Sequence, residues 1–249
     1  MASITYKGTL IMFVKRVKNY LRRFSNQNSE LIWANIWHET CNGIDWLQDM
    51  PSISPGRSAV GYNYLYVMTR ILNELEPHRV LDIGLGISST LISKYFEKKA
   101  FHDGCHLICE HDETWICFYS NKHSFSNYSH IAKQELVMKN NGKNDYYAYK
   151  DLKKDLAGQT FSVLSIDAPF GYGGGYSSRR DIIEFLPGIL EDDFVIVIDD
   201  YDRIGEQNTV KEIEGILNAK GISYASGIYL GLSNICVITA ECNKFLCTL

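Results

Sequence analysis

From position 79 onward, short apolar runs alternate with longer stretches of helical spacing. Runs over 79–83, 105–110, 161–166 and 194–199 predict strands, with a more polar one around 129–138. Between them, apolar positions three and four apart predict helices over 88–97, 112–121, 148–156, 179–190 and 206–220. Strands that alternate with helices build a parallel sheet covered on both faces. The last two runs, 222–229 and 233–240, are separated around Gly231 by too few residues for a crossover, so that pair must be antiparallel. The pattern therefore predicts an α/β fold, doubly wound, with a mostly parallel seven-stranded sheet closed by a C-terminal antiparallel pair. Upstream, residues 30–75 read as helical around Trp33, Trp37 and Trp46. They are interrupted by a turn at Pro51–Gly56, and a second helix ends near Glu76-Pro77.

The first stretch has a pattern of its own. On a helix, Leu10, Phe13, Val14, Val17, Leu21 and Phe24 form one apolar face, with Lys15, Arg16, Lys18, Arg22 and Arg23 mostly on the others. It is too short and too charged to span a bilayer, and it is not a secretory signal. Either it lies on an anionic membrane surface, or it docks on its own domain or on a second copy in a homo-oligomer. The organisation expected is a basic amphipathic helical extension over 1–28 and one domain over 29–249, with a helical part at 29–78 and the α/β core at 79–249.

Composition narrows the class. With 249 residues, 45% of them hydrophobic, the chain has enough apolar content for a full core. The net charge of −4 argues against a nucleic-acid binder, although residues 1–30 carry six basic side chains against Glu30 alone. Seven cysteines without a C-x-x-C pair, and no Cys/His cluster of ligand spacing, point to a reducing compartment and away from zinc. The expected location is the cytoplasm, with peripheral contact at the inner membrane face if the first helix binds lipid. Histidines other than His111 are expected at the surface.

Chemistry enters at Val80–Thr90, where an apolar strand closes on Asp82 and turns through Gly84 and Gly86 into a helix. Glycines at such a turn admit backbone conformations that a Cβ forbids and let a ligand approach closely. One strand later, Leu107-Ile108-Cys109 ends in Glu110, an acid placed to accept from the hydroxyls of a ribose. A dinucleotide fingerprint needs a third glycine where Ser89 stands, whereas S-adenosylmethionine (SAM) carries no pyrophosphate and needs only the tight turn and the acid. The cofactor set is Asp82, Gly84, Gly86, Ser88, Glu110, His111 and Asp167. An NAD-linked oxidoreductase and a non-catalytic binding protein of the same fold remain as alternatives.

A second acidic group follows. The strand 161–166 ends in Asp167, and 194–199 ends in Asp199-Asp200, so the topology brings all three to the crevice that holds Gly84 and Glu110. Clustered acids need a cation or a proton to offset their repulsion. Either Asp167, Asp199 and Asp200 bind Mg²⁺ or Mn²⁺, or Asp167, Asp200 or His111 takes a hydroxyl proton directly. Arg179 and Arg180 either clamp a substrate carboxylate or form a solvated pair, and Gly171–Ser178 is either a lid or an ordinary loop. Trp115 either stacks near an adenine or packs in the core, and Tyr62, Asn63 and Tyr64 precede the first strand where a cofactor is often covered.

The acid after the fourth strand with Asp-Asp after the fifth resembles the metal site of catechol- and caffeoyl-type O-methyltransferases, members of the class I SAM-dependent methyltransferases. The wider pattern is similar to glucuronoxylan 4-O-methyltransferases over residues 79–205. It consists of Glu110-His111-Asp112-Glu113-x-Trp115, Ile166-Asp167-Ala168-Pro169-x-Gly171-Tyr172 and Asp199-Asp200-x-Asp202-Arg203. The resemblance implies a Rossmann-like fold, SAM as methyl donor, and a sugar or polysaccharide acceptor such as a uronic acid, read by Arg179, Arg180 and Tyr172.

Overall fold

The computed structural model describes residues 6–48, 59–169 and 179–249. Its centre is a seven-stranded sheet. Along the chain come β1 (Arg79–Ile83), β2 (Cys105–Glu110), β3 (Ser129–Lys133), the hairpin β4 (Leu136–Asn140) and β5 (Asp145–Tyr149), β6 (Phe161–Ile166), β7 (Leu190–Ile198), β8 (Tyr224–Tyr229) and β9 (Ile235–Ala240). The strand order is β3-β2-β1-β6-β7-β9-β8, with β4 and β5 forming a separate two-stranded ribbon. All neighbours are parallel except β9, which runs antiparallel to both β7 and β8. The doubly wound sheet and its terminal antiparallel pair are as the sequence pattern predicts.

Period-two alternation divides the core. Val80, Val163, Val195, Val197 and Val237 face one side and meet α2 (Tyr62–Leu75) and α3 (Ile87–Lys99). Leu81, Ile83, Leu164, Ile166, Ile196 and Ile198 face the other, where Ile213 of α6 (Ile204–Ala219) packs. Both faces are dry, which is why these strands read as continuous apolar runs.

Three elements differ from the sequence expectation. The polar strand around 129–138 is two strands: β3 ends at Lys133, opposite Glu110 at the end of β2, and the chain leaves the sheet where its partner stops. The helix expected over 148–156 is the end of β5 followed by one turn, α5 (Leu152–Asp155). The helix expected over 179–190 is a five-residue 3₁₀ turn, Asp181–Phe185, and Leu190 already begins β7. Pro187 and Gly188 explain the last case, since neither supports a helix interior. The turn expected at Pro51–Gly56 lies outside the described residues.

At the N-terminus, α1 (Tyr6–Asn42) runs unbroken through position 28. Its second half is anchored: Trp37 Nε1 donates to Thr69 Oγ1 at 3.1 Å, Trp33 Nε1 to the Leu230 carbonyl at 2.7 Å, and Glu30 accepts from the Tyr62 N–H at 2.8 Å. In the first half, Val14, Val17, Leu21 and Phe24 are exposed. Among the described residues no helix is long and apolar enough to cross a membrane.

Candidate active site

Register brings the site together. Ile83 pairs with Cys109 on one side and Ile166 on the other, and Ile166 pairs with Ile198. Four parallel strands therefore end level, and the residues that follow them, Gly84, Glu110, Asp167 and Asp199, share one edge of the sheet.

The turn after β1 is held from beneath. Asp82 is wholly buried, and its two oxygens accept from Ser89 Oγ at 2.5 Å and from Ser165 Oγ. Ser165 in turn meets Tyr64 Oη at 2.6 Å, and Ser89 Oγ accepts from the Gly86 N–H at 3.0 Å. Asp82 thus fixes the turn from within and does not itself face the cleft, and Ser88 beside it is also buried. The two glycines do different work. Gly84 has φ +116°, and a Cβ there would lie 3.1 Å from the Ala168 Cβ. Gly86 is extended, and a Cβ there would meet nothing within 4 Å. Gly84 is required by conformation, whereas a side chain at Gly86 would meet none of the described residues.

Glu110 sits beside this turn. Its Oε2 accepts from the Leu85 N–H at 3.1 Å, and its Oε1 from the N–H groups of His111 and Asp112 at 2.7 and 2.9 Å, with His111 Nδ1 also 2.9 Å away. Burial works against its charge, but the His111 ring and these backbone donors outweigh it and hold the carboxyl below its ordinary value. The ring of His111 is thereby tied to Glu110 and lies 6.1 Å from Tyr149. Trp115 is partly exposed and donates from Nε1 to the Leu85 carbonyl at 2.7 Å, so it braces the turn and is not core.

At the ends of β6 and β7, the carboxylates of Asp167, Asp199 and Asp200 offer oxygens within 4.8 Å of one another. Among them lies a side chain that the sequence pattern placed elsewhere. The Arg179 guanidinium is 4% exposed; its Nη2 is 3.0 Å from Asp167 Oδ1 and 2.6 Å from Asp200 Oδ2, and its Nη1 donates to the Asp199 carbonyl at 2.8 Å. Glu206 stands behind it, 3.6 Å from Nε. A divalent ion draws its ligand oxygens to about 2.0–2.6 Å. With a guanidinium already paired to two of the three acids, the donor set as it stands does not fit one. The Arg179 guanidinium thus stands among the three residues on which Mg²⁺ or Mn²⁺ was expected.

Burial raises the Asp199 carboxyl well above the carboxylate range, helped by Asp167 and Asp200 and opposed by Arg179. Asp167 is also raised by burial; Arg179 opposes, Asp200 and Asp82 reinforce, and a side-chain hydrogen bond with Asp199 lowers it. Asp167 keeps 27% side-chain exposure, so it is the member of the pair that opens to the crevice.

Both arginines of the expected Arg179–Arg180 clamp have carboxylate partners within the chain. Arg179 is spent on the acids, and Arg180 pairs with Glu212 of α6 while its guanidinium sits 4.7 Å from the Tyr146 ring centroid. Tyr172 and the glycine run around it lie outside the described residues. Asn63 and Tyr64 are buried: Asn63 Nδ2 donates to the Ser233 carbonyl at 2.8 Å, tying α2 to the β8–β9 connection. His106 is not at the surface but fully buried in β2, 2.9 Å from Ser129 Oγ. The sequence reading missed Ser165 and Glu206. A serine in an otherwise apolar strand and an acid in the first turn of α6 were the available signals.

No protein-family model matches the sequence, and no curated protein matches it. Solved structures do. An O-methyltransferase from Bacillus cereus in complex with S-adenosylhomocysteine (SAH) superposes with a TM-score of 0.52 at 11% identity, covering 87% of this chain and 99% of that one. An SAH-bound methyltransferase from Podospora anserina gives 0.47 at 13% identity, covering 97% and 98%. The O-methyltransferase TomG from Streptomyces achromogenes, in complex with SAM, gives 0.47 at 14%, covering 86% and 90%. At such identities the likeness is one of fold, and the Bacillus cereus superposition carries it: the chain has the Rossmann-like class I methyltransferase fold.

Proposed function

We propose that this protein is an SAM-dependent O-methyltransferase that methylates a hydroxyl of a sugar or polysaccharide. The observation that carries the reading is the level ending of β1, β2, β6 and β7. It sets an open glycine turn and Glu110 on the same sheet edge as a carboxylate pair with raised pKa values. When bound, SAM supplies an electrophilic methyl on a sulfonium. The residues that would hold it are Gly84, Gly86 and Glu110. Asp167 would accept the proton that the acceptor hydroxyl loses on methylation, with SAH as the other product, and would later release it to water. The motifs shared with glucuronoxylan methyltransferases favour a sugar acceptor. Among the described residues, Arg203 is half exposed beside Asp200, at 2.8 Å, and is the cation we assign to meet a uronic carboxylate.

Calorimetry with SAM, SAH and NAD tests the reading. Micromolar SAM and SAH binding with none of NAD is the expected result. NAD binding would favour the oxidoreductase, and SAM binding without turnover of any sugar hydroxyl would favour the non-catalytic protein.

The first half of α1 suggests where the enzyme works. Exposed Val14, Val17, Leu21 and Phe24, on a segment with six basic residues, suit an anionic lipid surface, where each basic residue adds about 1 kcal/mol.

A further inference from the structure

Strand-end carboxylates that converge beside a ligand crevice need a counter-charge. Here the chain supplies it. Asp200 is engaged through both oxygens: Oδ1 accepts from Ser233 Oγ at 2.9 Å, and Oδ2 meets Arg179 at 2.6 Å and Arg203 at 2.8 Å. The backbone shows that the pair is built in. Arg179 has φ +50° and Asp200 φ +58°, both in the left-handed region. For a non-glycine residue that conformation is strained and persists only where the surroundings enforce it. That the two strained residues are each other's ion-pair partners gives the strain its reason. Burial of Arg179, with the buried Glu206 carboxylate behind it, closes the cluster from the far side.

We propose that Arg179 is a positioning residue that takes the place of a divalent ion at this cluster, so that proton removal by Asp167 is independent of metal. The proposal deepens the methyltransferase reading and rests on it for the reaction, but the cluster's affinity for cations is measurable without SAM or acceptor. Arg179 holds Asp167 and Asp200 in one orientation at a fixed charge, as an ion would, and works through Asp167 without touching the acceptor.

The test is Mn²⁺ binding to the full-length protein, followed by the paramagnetic resonance signal of free Mn²⁺. The wild type and Arg179→Lys should bind none at about 1 mM Mn²⁺. Arg179→Met, shown to be folded by circular dichroism, should gain a site at least tenfold tighter, and Asp199→Asn in that background should abolish it. Stoichiometric Mn²⁺ binding by the wild type, lost on Asp199→Asn, would overturn the proposal. So would a folded Arg179→Met that binds no Mn²⁺, because the cluster would then not be a cation site. Should Arg179→Met not fold, the other two proteins decide: binding by either defeats the proposal, and binding by neither supports it. None of these outcomes depends on whether SAM is the methyl donor, so a failure of that reading would show separately, in calorimetry.

Discussion

Asp181 opens the short turn after Arg179. One of its oxygens accepts from the Tyr149 N–H at 3.0 Å, and the other is buried without a hydrogen-bond partner among the described residues. Burial pushes its carboxyl up to about 7, with the Tyr149 N–H and Lys139 opposing and Glu184 reinforcing. The folded state therefore holds a proton that the unfolded chain releases near pH 4, and stability falls between that value and about 7 as pH rises. Asp181→Asn should stabilise the protein by roughly 1–3 kcal/mol at about pH 8 and leave it unchanged at about pH 4. Thermal unfolding at the two pH values checks this; an equal effect at both would show that the carboxyl is not raised. Asp167 makes the companion case in catalysis. Its raised carboxyl must be deprotonated to accept a proton, so kcat should fall on the acid side of a limb lying above the ordinary carboxylate value of about 3.9. That limb belongs to the Asp167–Asp199 pair, not to either residue alone. Asp167→Asn should lower kcat by roughly 10²–10⁴-fold with SAM affinity nearly unchanged. A mutant that keeps full turnover would move the base elsewhere.

At the scale of elements, the β1–α3 turn separates two roles that the sequence gives to one motif. Gly84→Ala meets both a forbidden φ and the Ala168 Cβ, and should cost about 1–3 kcal/mol of stability. Gly86→Ala projects into open space, so the melting temperature should hold while SAM binding weakens. Melting curves and calorimetry on the two variants distinguish the roles, and matching losses in both would contradict the division. The β4–β5 ribbon was readable and was misread: Asn141-Gly142 between two alternating runs is a hairpin signal, and Gly142 does take φ +86°. The short turn at Asp181–Phe185 was harder to see, because apolar residues at helical spacing there serve to cover the sheet.

For the whole molecule, α1 joins two environments. Its second half is held by Trp33, Trp37 and Glu30, while its first half carries exposed apolar side chains. Removing residues 1–25 should leave the melting temperature within a few degrees and abolish salt-sensitive binding to vesicles rich in anionic lipid. Sedimentation of the protein with such vesicles at low and high salt reads the result. A dimer in ultracentrifugation that the full-length protein forms and the truncated one does not would instead place a second copy on that face.

The sequence by itself determined the sheet, the crevice its strand ends share, the glycine turn and the positions of the acids. Each depends on local periodicity or on a residue type with one physical use, and neighbouring strands then align them without further information. Only the tertiary structure decided what offsets the acids. Arg179 is twelve residues from Asp167 and twenty from Asp199, and in sequence it is one of two adjacent arginines with nothing to tell them apart. Folding sends one into the carboxylates, from a left-handed backbone, and the other to Glu212. Burial then gives that contact its strength, and neither conformation nor burial is written in the local pattern.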